Sequence, residues 1–446
     1  MLRYKYLILA IICLSMFDCS CSGQPKRSLV TGYSLNEQPK IPNTPTTQQP
    51  AFEYVDVFLP ENTGAKPCLL SKATSKLNRV DNEWGIWGHN IEKVLGGDLP
   101  DETYALVDGE RNRSQLCFSS AELYKKLSAW IIDNYGTQTT SSFCIFPKDN
   151  KLACTCHECT KKGNTQGNAT PAVTDFICRL CRQFPMHRFY TSFYHSTSEL
   201  PSAPLPQNAG VIVSAYTWQL RNAENAASEK FKATVKQWAE YTDRIYVWDY
   251  INNFEDYFTP FPIVALMQQR IRFYANAGVK GIFFNGSGYD YSSFSDMKTY
   301  ALAELCSNPD ADWKMIIKTF FNKYYPSSAK LLSDFCISIE QRALQRKKAL
   351  NLYAAVDEAL IEYLDEKEFI AFYDSLDIIS NKAKDIEAIR LKNLLSAITL
   401  TRLEIAKMRG EKMQIPEIFY HTPSKVYSEE GWLVQDYINQ LKEKGF

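Results

Sequence analysis

Five apolar runs in this chain alternate with amphipathic helical stretches, and each run ends in aromatic, carboxylate or amide residues. They read Phe143-Cys-Ile-Phe-Pro-Lys-Asp149-Asn150, Phe189-Tyr-Thr-Ser-Phe-Tyr194-His195, Val211-Ile-Val-Ser-Ala-Tyr216-Thr-Trp218, Ile245-Tyr-Val-Trp248-Asp249-Tyr250 and Gly281-Ile-Phe-Phe-Asn285-Gly286. Such runs are too apolar to leave one face in water, so they predict strands of a parallel sheet covered by helices. Between them, residues 172–184, 228–241 and 262–277 read as helices, the last ended by Gly278 at a C-cap position. Strands alternating with helices mean a parallel sheet joined by crossovers.

Further strands are expected at 52–59, 84–89 and 115–118, with an Asp108-Gly109 turn signal and a helix over 121–135 opened by Ser119-Ser120. After Pro309 no strand signal remains. Residues 310–324, 327–350, 354–364, 366–383, 386–408 and 432–444 read as helices. The expected fold class is therefore α/β, a (β/α)8 TIM-type barrel over 51–308 followed by an all-α C-terminal region over 309–446.

A barrel of this type builds its active site on the loops after the strands. The residues gathered there suit carbohydrate, since aromatic faces stack on sugar rings while carboxylates and amides bond hydroxyls. Glycoside hydrolysis uses two carboxyl groups flanking the scissile bond. Asp149 and Asp249 are the candidates, with Glu255 in reserve; a loop-turn role for Asp149 and a wall salt bridge for Asp249 are the plainer readings. Asn285 ends the eighth strand, where an amide binds a hydroxyl but does not transfer a proton as a carboxyl does. His89, Tyr194, Tyr216, Trp218, Trp248 and Tyr250 are candidate sugar contacts, and Arg111 a partner for a uronic carboxylate.

Several strings in order carry a family likeness: Trp87-Gly-His89-Asn, Leu99-Pro-x-x-x-Tyr104-Ala-Leu-x-Asp-Gly-x-Arg111, Gln115-Leu-Cys117-Phe-Ser, Pro147-x-Asp149-Asn-x-x-x-Cys154-x-Cys156-x-x-Cys159, Val247-Trp-Asp249-Tyr and Gly278-Val-Lys-Gly-Ile-Phe. Over roughly residues 50–340 the chain resembles a bacterial family of exported barrels, domain of unknown function 4838, related to α-glucuronidases and β-hexosaminidases. The resemblance implies the barrel more firmly than any reaction.

Three readings of function follow. One is an exported glycoside hydrolase acting on a complex glycan. Another is a non-catalytic glycan-binding surface lipoprotein with a degenerate barrel site. A structural surface protein assembling through its helical region is a third. An oligo- or polysaccharide is the expected partner, and no cofactor is expected. Fifty basic residues offset fifty acidic ones, and no basic stripe marks a nucleic-acid binder. Phosphate loops, dinucleotide fingerprints and zincin motifs are absent from the sequence. Cys156, Cys159, Cys178 and Cys181 have the spacing of two zinc-binding pairs, while disulfides and free thiols remain equally open.

Residues 1–21 read as a lipoprotein-type export signal, with Arg3 and Lys5 ahead of an apolar stretch over 7–17 and then Cys19 and Cys21. Residues 22–50, rich in Pro, Gln, Thr and Ser, read as a flexible tether. The expected location is the periplasm or cell surface, with the membrane reached through the lipid anchor. If Cys19 or Cys21 is acylated, the protein will take up a fatty-acid analogue and partition into detergent, and replacing both by Ser will release it. A trimmed, unlabelled N-terminus would rule the anchor out.

Overall fold

The structure, a computed structural model, describes residues 51–63, 76–218, 220, 225–346 and 348–446. The expected signal and tether, with Cys19 and Cys21, lie outside the described residues. The strands are β1 (Tyr54–Phe58), β2 (Trp84–Ile86), β3 (Tyr104–Val107), β4 (Glu110–Leu116), β5 (Ser142–Cys144), β6 (Arg188–Phe193), β7 (Ala209–Ser214), β8 (Ile245–Tyr250) and β9 (Gly281–Asn285).

Among the described residues, seven of these form one parallel sheet in the order β1-β9-β8-β7-β6-β5-β2. The five strands expected at 143, 189, 211, 245 and 281 are adjacent, parallel and in sequence order. The two end strands are not hydrogen-bonded to each other, but the sheet curls enough for side chains at its two ends to touch. Tyr54 of β1 packs edge-on against Trp84 of β2 at 5.9 Å. The Val80 N–H, just before β2, donates to Asp56 Oδ2 of β1 at 2.7 Å.

The segment expected to supply a further barrel strand, 115–118, does not join this sheet. It ends β4, which pairs antiparallel with β3 in a separate hairpin. The reason lies in its residues: Glu-Arg-Asn-Arg-Ser-Gln-Leu is mostly exposed, whereas a strand inside a helix-covered parallel sheet is buried on both faces. Asp108 and Gly109 turn the hairpin with φ of 51° and 89°, the doubly positive pattern of a tight two-residue loop.

Period-two alternation sorts each sheet strand into two faces. Val55, Val57, Val211, Val213, Ile245, Val247, Ile282 and Phe284 face outward into the main core. Tyr54, Trp84, Cys144, Phe146, Tyr190, Ile212 and Tyr246 face inward and fill the curl, with Trp87 and Trp248 packed on them. Gly281 is required here, because a Cβ would lie 2.7 Å from the Tyr246 ring.

The longer helices of the sheet layer are α1 (Ala121–Tyr135), α2 (Thr170–Gln183), α3 (Ala226–Trp238), α4 (Val264–Asn276) and α5 (Ser295–Ser307). Ser120 caps α1 by accepting the Leu123 N–H at 3.2 Å, and Asn225 caps α3 by accepting the Ser228 N–H at 2.9 Å. The all-α region follows as α6 (Trp313–Tyr324), α7 (Ala329–Gln345), α8 (Glu366–Ser380), α9 (Asp385–Arg409) and α10 (Val434–Glu443).

This region shares the core of the sheet layer, one apolar cluster running from Val55 through Ile282 to Leu395. It also supplies caps. Buried Glu340 of α7 accepts the N–H groups of Ile263, Val264 and Ala265 at 2.8, 2.9 and 3.0 Å, neutralising the start of α4.

The outward face of β8 carries a buried ion pair. Arg270 of α4 bonds Asp249 and the Trp218 carbonyl, and the Tyr274 hydroxyl donates to Asp249 Oδ2 at 2.6 Å. Removing one charge strands the other in the core. Asp249→Asn is expected to cost about 3–5 kcal/mol of folding stability, read by urea denaturation. A change within about 0.5 kcal/mol would show that the pair carries no such weight.

Candidate functional site

The C-terminal ends of the strands open into a mouth floored by rings. Trp87 lies flat on Trp248 at 5.1 Å and 13°, and Phe283 packs against Trp248 at 4.4 Å. On β8 the inward series is Tyr246, Trp248 and Tyr250; on β9, Asn285 shares the face of Phe283. Tyr250 stands above the floor, 5.6 Å from the exposed Tyr216 ring, and its hydroxyl is 3.3 Å from Ser214 Oγ.

The opposite rim comes from the loops after β2, β5 and β6. His89 hydrogen-bonds the Pro147 carbonyl and faces Phe146 and Tyr194 at 5.4 and 6.4 Å. Tyr194 stacks against His195 at 3.8 Å. His195 Nε2 is 3.4 Å from Asp149 Oδ1. The His195 backbone has φ of 46°, a left-handed conformation unusual for a side-chain-bearing residue, and such strain gathers at functional sites. Burial holds the His195 imidazole below its ordinary range; Asp149 pulls the other way, while Lys151 and His89 add to the lowering.

A third wall comes from the helical region. Phe254, on the loop after β8, touches Tyr250 at 6.0 Å and Tyr353 at 5.8 Å. The Tyr353 hydroxyl donates to Glu429 Oε2 at 2.7 Å. The Glu429 carboxyl is raised above its usual range by the crowding of protein around it, with the charges of Glu430 and Asp149 adding and the Tyr353 hydrogen bond opposing. Glu429 is an exposed residue, so solvent screens these effects. The charge of Asp149 thus reaches Glu429.

The expected pairing of Asp149 with Asp249 is corrected. Asp149, half-exposed, is at the mouth; Asp249 is fully buried on the far face of β8, in the ion pair with Arg270. Trp218 is likewise outside the mouth, buried against Phe231 at 4.9 Å with the Arg270 guanidinium 4.6 Å from its ring. Arg111 is exposed on β4, donating to the Tyr104 carbonyl at 2.7 Å. Glu255 is half-buried on the loop after β8, in reach of Tyr427. His89, Tyr194, Tyr216, Trp248, Tyr250 and Asn285 lie at the C-terminal ends of the sheet strands or on the loops after them. His195, Tyr353 and Glu429 were not among the expected residues. His195 was legible as the residue closing the Phe189 run, whereas Tyr353 and Glu429 carry no sequence signal that joins them to Asp149.

The Asp149 loop is held from outside. Buried Gln115, at the end of β4, accepts the Lys148 N–H at 2.9 Å and donates to the Lys148 carbonyl and Asn150 Oδ1 at 3.1 Å each. Asn150 returns a bond to the Ser114 carbonyl at 2.7 Å.

The cysteines regroup as well. The sulfurs of Cys117, Cys154, Cys156 and Cys159 lie within 4.8 Å of one another. Cys178 and Cys181 are not in this group: they lie on α2, where Cys181 is buried in the core with Phe176, Ile177 and Leu180. Of the four cysteines whose spacing suggested two pairs, the structure brings only Cys156 and Cys159 together.

A buried carboxyl also lies inside the curl. Asp56 of β1 accepts from Asn62 Nδ2 at 2.9 Å and the Tyr54 hydroxyl at 3.1 Å, besides the Val80 N–H. Burial pushes it from 3.8 up to about 7, against the pull of these donors. A carboxyl raised on folding contributes stability that is full below about pH 4 and lost as pH rises through 7, roughly 4 kcal/mol for a shift of this size. The stability of Asp56→Asn relative to the parent is expected to rise by that order between pH 4 and pH 8 in urea titrations. A pH-independent difference would show that Asp56 titrates normally.

The profile of the family described as Domain of unknown function (DUF4838) matches residues 38–336, and the chain belongs to that family. No curated protein matches the chain.

Proposed function

We propose that the protein is an exported glycoside hydrolase that cleaves a glycosidic bond in a complex glycan, with Glu429 as proton donor and Asp149 as the second carboxylate. The observation that supports this reading is two carboxyls set beside aromatic residues, Asp149 next to His195 and Glu429 on Tyr353, with the Asp149 charge among the causes that raise Glu429. A raised carboxyl keeps its proton nearer neutral pH, as a general acid must. Trp248 on the floor and Tyr216 and Tyr250 on the rim offer faces to sugar rings, and His89 and Asn285 offer hydroxyl partners. His195, held neutral, can orient Asp149 or bond a sugar without adding charge.

The reading extends the curled seven-stranded sheet to a (β/α)8-type barrel lacking one strand, and it agrees with the expected kinship to α-glucuronidases and β-hexosaminidases. An N-terminal lipid anchor at Cys19 or Cys21 would place the mouth at the periplasmic or outer surface, where polymeric glycan is met.

One observation favours the rival, a glycan-binding protein without turnover: β9 ends in the amide of Asn285, where a carboxylate would serve catalysis directly. Purified protein assayed on a panel of aryl glycosides and natural glycans separates the two. The enzyme reading expects Glu429→Gln and Asp149→Asn each to lower kcat by roughly 10²–10⁴-fold while glycan affinity is retained. Full turnover in both variants would overturn the assignment of these carboxyls. A parent protein that binds glycan through Trp248 and Tyr216 but cleaves none of the panel would establish the binding function instead.

A further inference from the structure

We propose that Cys117, Cys154, Cys156 and Cys159 bind one structural zinc ion, which fastens the β3–β4 hairpin to the segment following the Asp149 loop. Four zinc–thiolate bonds of about 2.3 Å make a tetrahedron whose sulfur–sulfur edges are about 3.8 Å. Cys117 Sγ lies 3.7 Å from both Cys156 Sγ and Cys159 Sγ, and all four sulfurs fall within 4.8 Å of one another. That is the spacing of a ligand tetrahedron around a single centre.

The four ligands come from two places. Cys117 directly follows β4, and the other three form a Cys-x-Cys-x-x-Cys run that enters the short helix His157–Lys162. A backbone bond already aligns the two, the Thr155 N–H donating to the Leu106 carbonyl of β3 at 2.9 Å, and Asn164 Nδ2 steadies the cysteine run itself by donating to the Cys154 carbonyl at 3.1 Å.

Second-sphere donors are in place. The Leu106 N–H donates to Cys154 Sγ at 3.2 Å, and the Ser119 hydroxyl is 3.2 Å from Cys159 Sγ, where it donates once that sulfur is a thiolate. Such bonds steady the charge of a four-thiolate site. Three of the four cysteines are buried and the fourth half-buried, with every position around the centre filled by sulfur. A closed four-sulfur site holds its metal for structure and leaves no place for water or substrate.

Two rivals predict different chemistry. Disulfides, permitted in an exported protein, would join the sulfurs in pairs; here Cys117 stands equally near two partners and bonds neither. Free buried thiols need no convergence, and Cys144, Cys306 and Cys336 are buried singly elsewhere. The proposal is independent of what the mouth does. Its consequence for the mouth is positional, since Cys117 lies two residues beyond Gln115, which holds Lys148 and Asn150 on either side of Asp149.

The test is elemental analysis of the full-length protein after dialysis, together with cobalt substitution and mass spectrometry of alkylated cysteines. One zinc per chain is expected, and cobalt(II) should show the charge-transfer and visible bands of a tetrahedral thiolate site. Cys117→Ser should lose stoichiometric zinc, while the Cys178→Ser, Cys181→Ser double variant should keep it. If Cys117→Ser does not fold, the cobalt spectrum of the parent still decides. Disulfides among the four cysteines, iron in place of zinc, or a parent that neither retains zinc nor gives the cobalt spectrum would overturn the proposal.

Discussion

The alternation of side chains along β8 governs much of what this protein can do. Tyr246, Trp248 and Tyr250 share one face of the strand, and packing of those rings with Tyr54, Trp84 and Trp87 requires that face to be the inside of the curl. Asp249 then has no choice. It must point into the helix layer, and a carboxylate there survives only because Arg270 and Tyr274 meet it. One register thus removes the most prominent carboxylate of the sequence from the mouth and makes it a tie between sheet and helix.

The chemistry of the mouth consequently depends on chain far from the sheet. Tyr353 and Glu429 arrive from the helical region, which is fastened to the sheet layer by its own carboxylates. Glu340 of α7 caps α4 of the sheet layer, while Glu387 of α9 accepts the Ser328 hydroxyl at 3.0 Å and ties α9 to the start of α7 within the helical region. These bonds lie in buried or half-buried places, where an unmet N–H is costly. The helical region therefore shares one core with the sheet layer, and the boundary near residue 309 is one of composition rather than of packing.

The β3–β4 hairpin has a comparable role on the opposite side. It contributes no strand to the sheet, and its exposed face is strongly polar. Its buried end carries Gln115 and Cys117, one gripping the Asp149 loop and the other meeting the cysteines beyond it. A loop exposed at its tip and held at both flanks can present Asp149 to His195 at low entropic cost.

Local pattern was enough to determine most of the elements, though not that the strand expected at 115–118 belongs to a separate hairpin. Apolar runs with no polar face make buried parallel strands, Ser120 caps α1, Asp108-Gly109 makes a tight hairpin, and short crossovers place sequential strands side by side. Those are properties of neighbouring residues, and neighbouring residues are what a sequence displays. The aromatic rim residues Tyr194, Tyr216 and Tyr250 were legible for the same reason, since strand ends of such a sheet face one opening. Tertiary structure alone decided which face each strand buries, and so sent Asp249 and Trp218 outward. It alone put Glu429 within reach of the Asp149 charge and brought Cys117 to Cys154, Cys156 and Cys159. Long-range contacts are selected by how whole layers pack, and the spacing of residues along the chain holds no record of that choice.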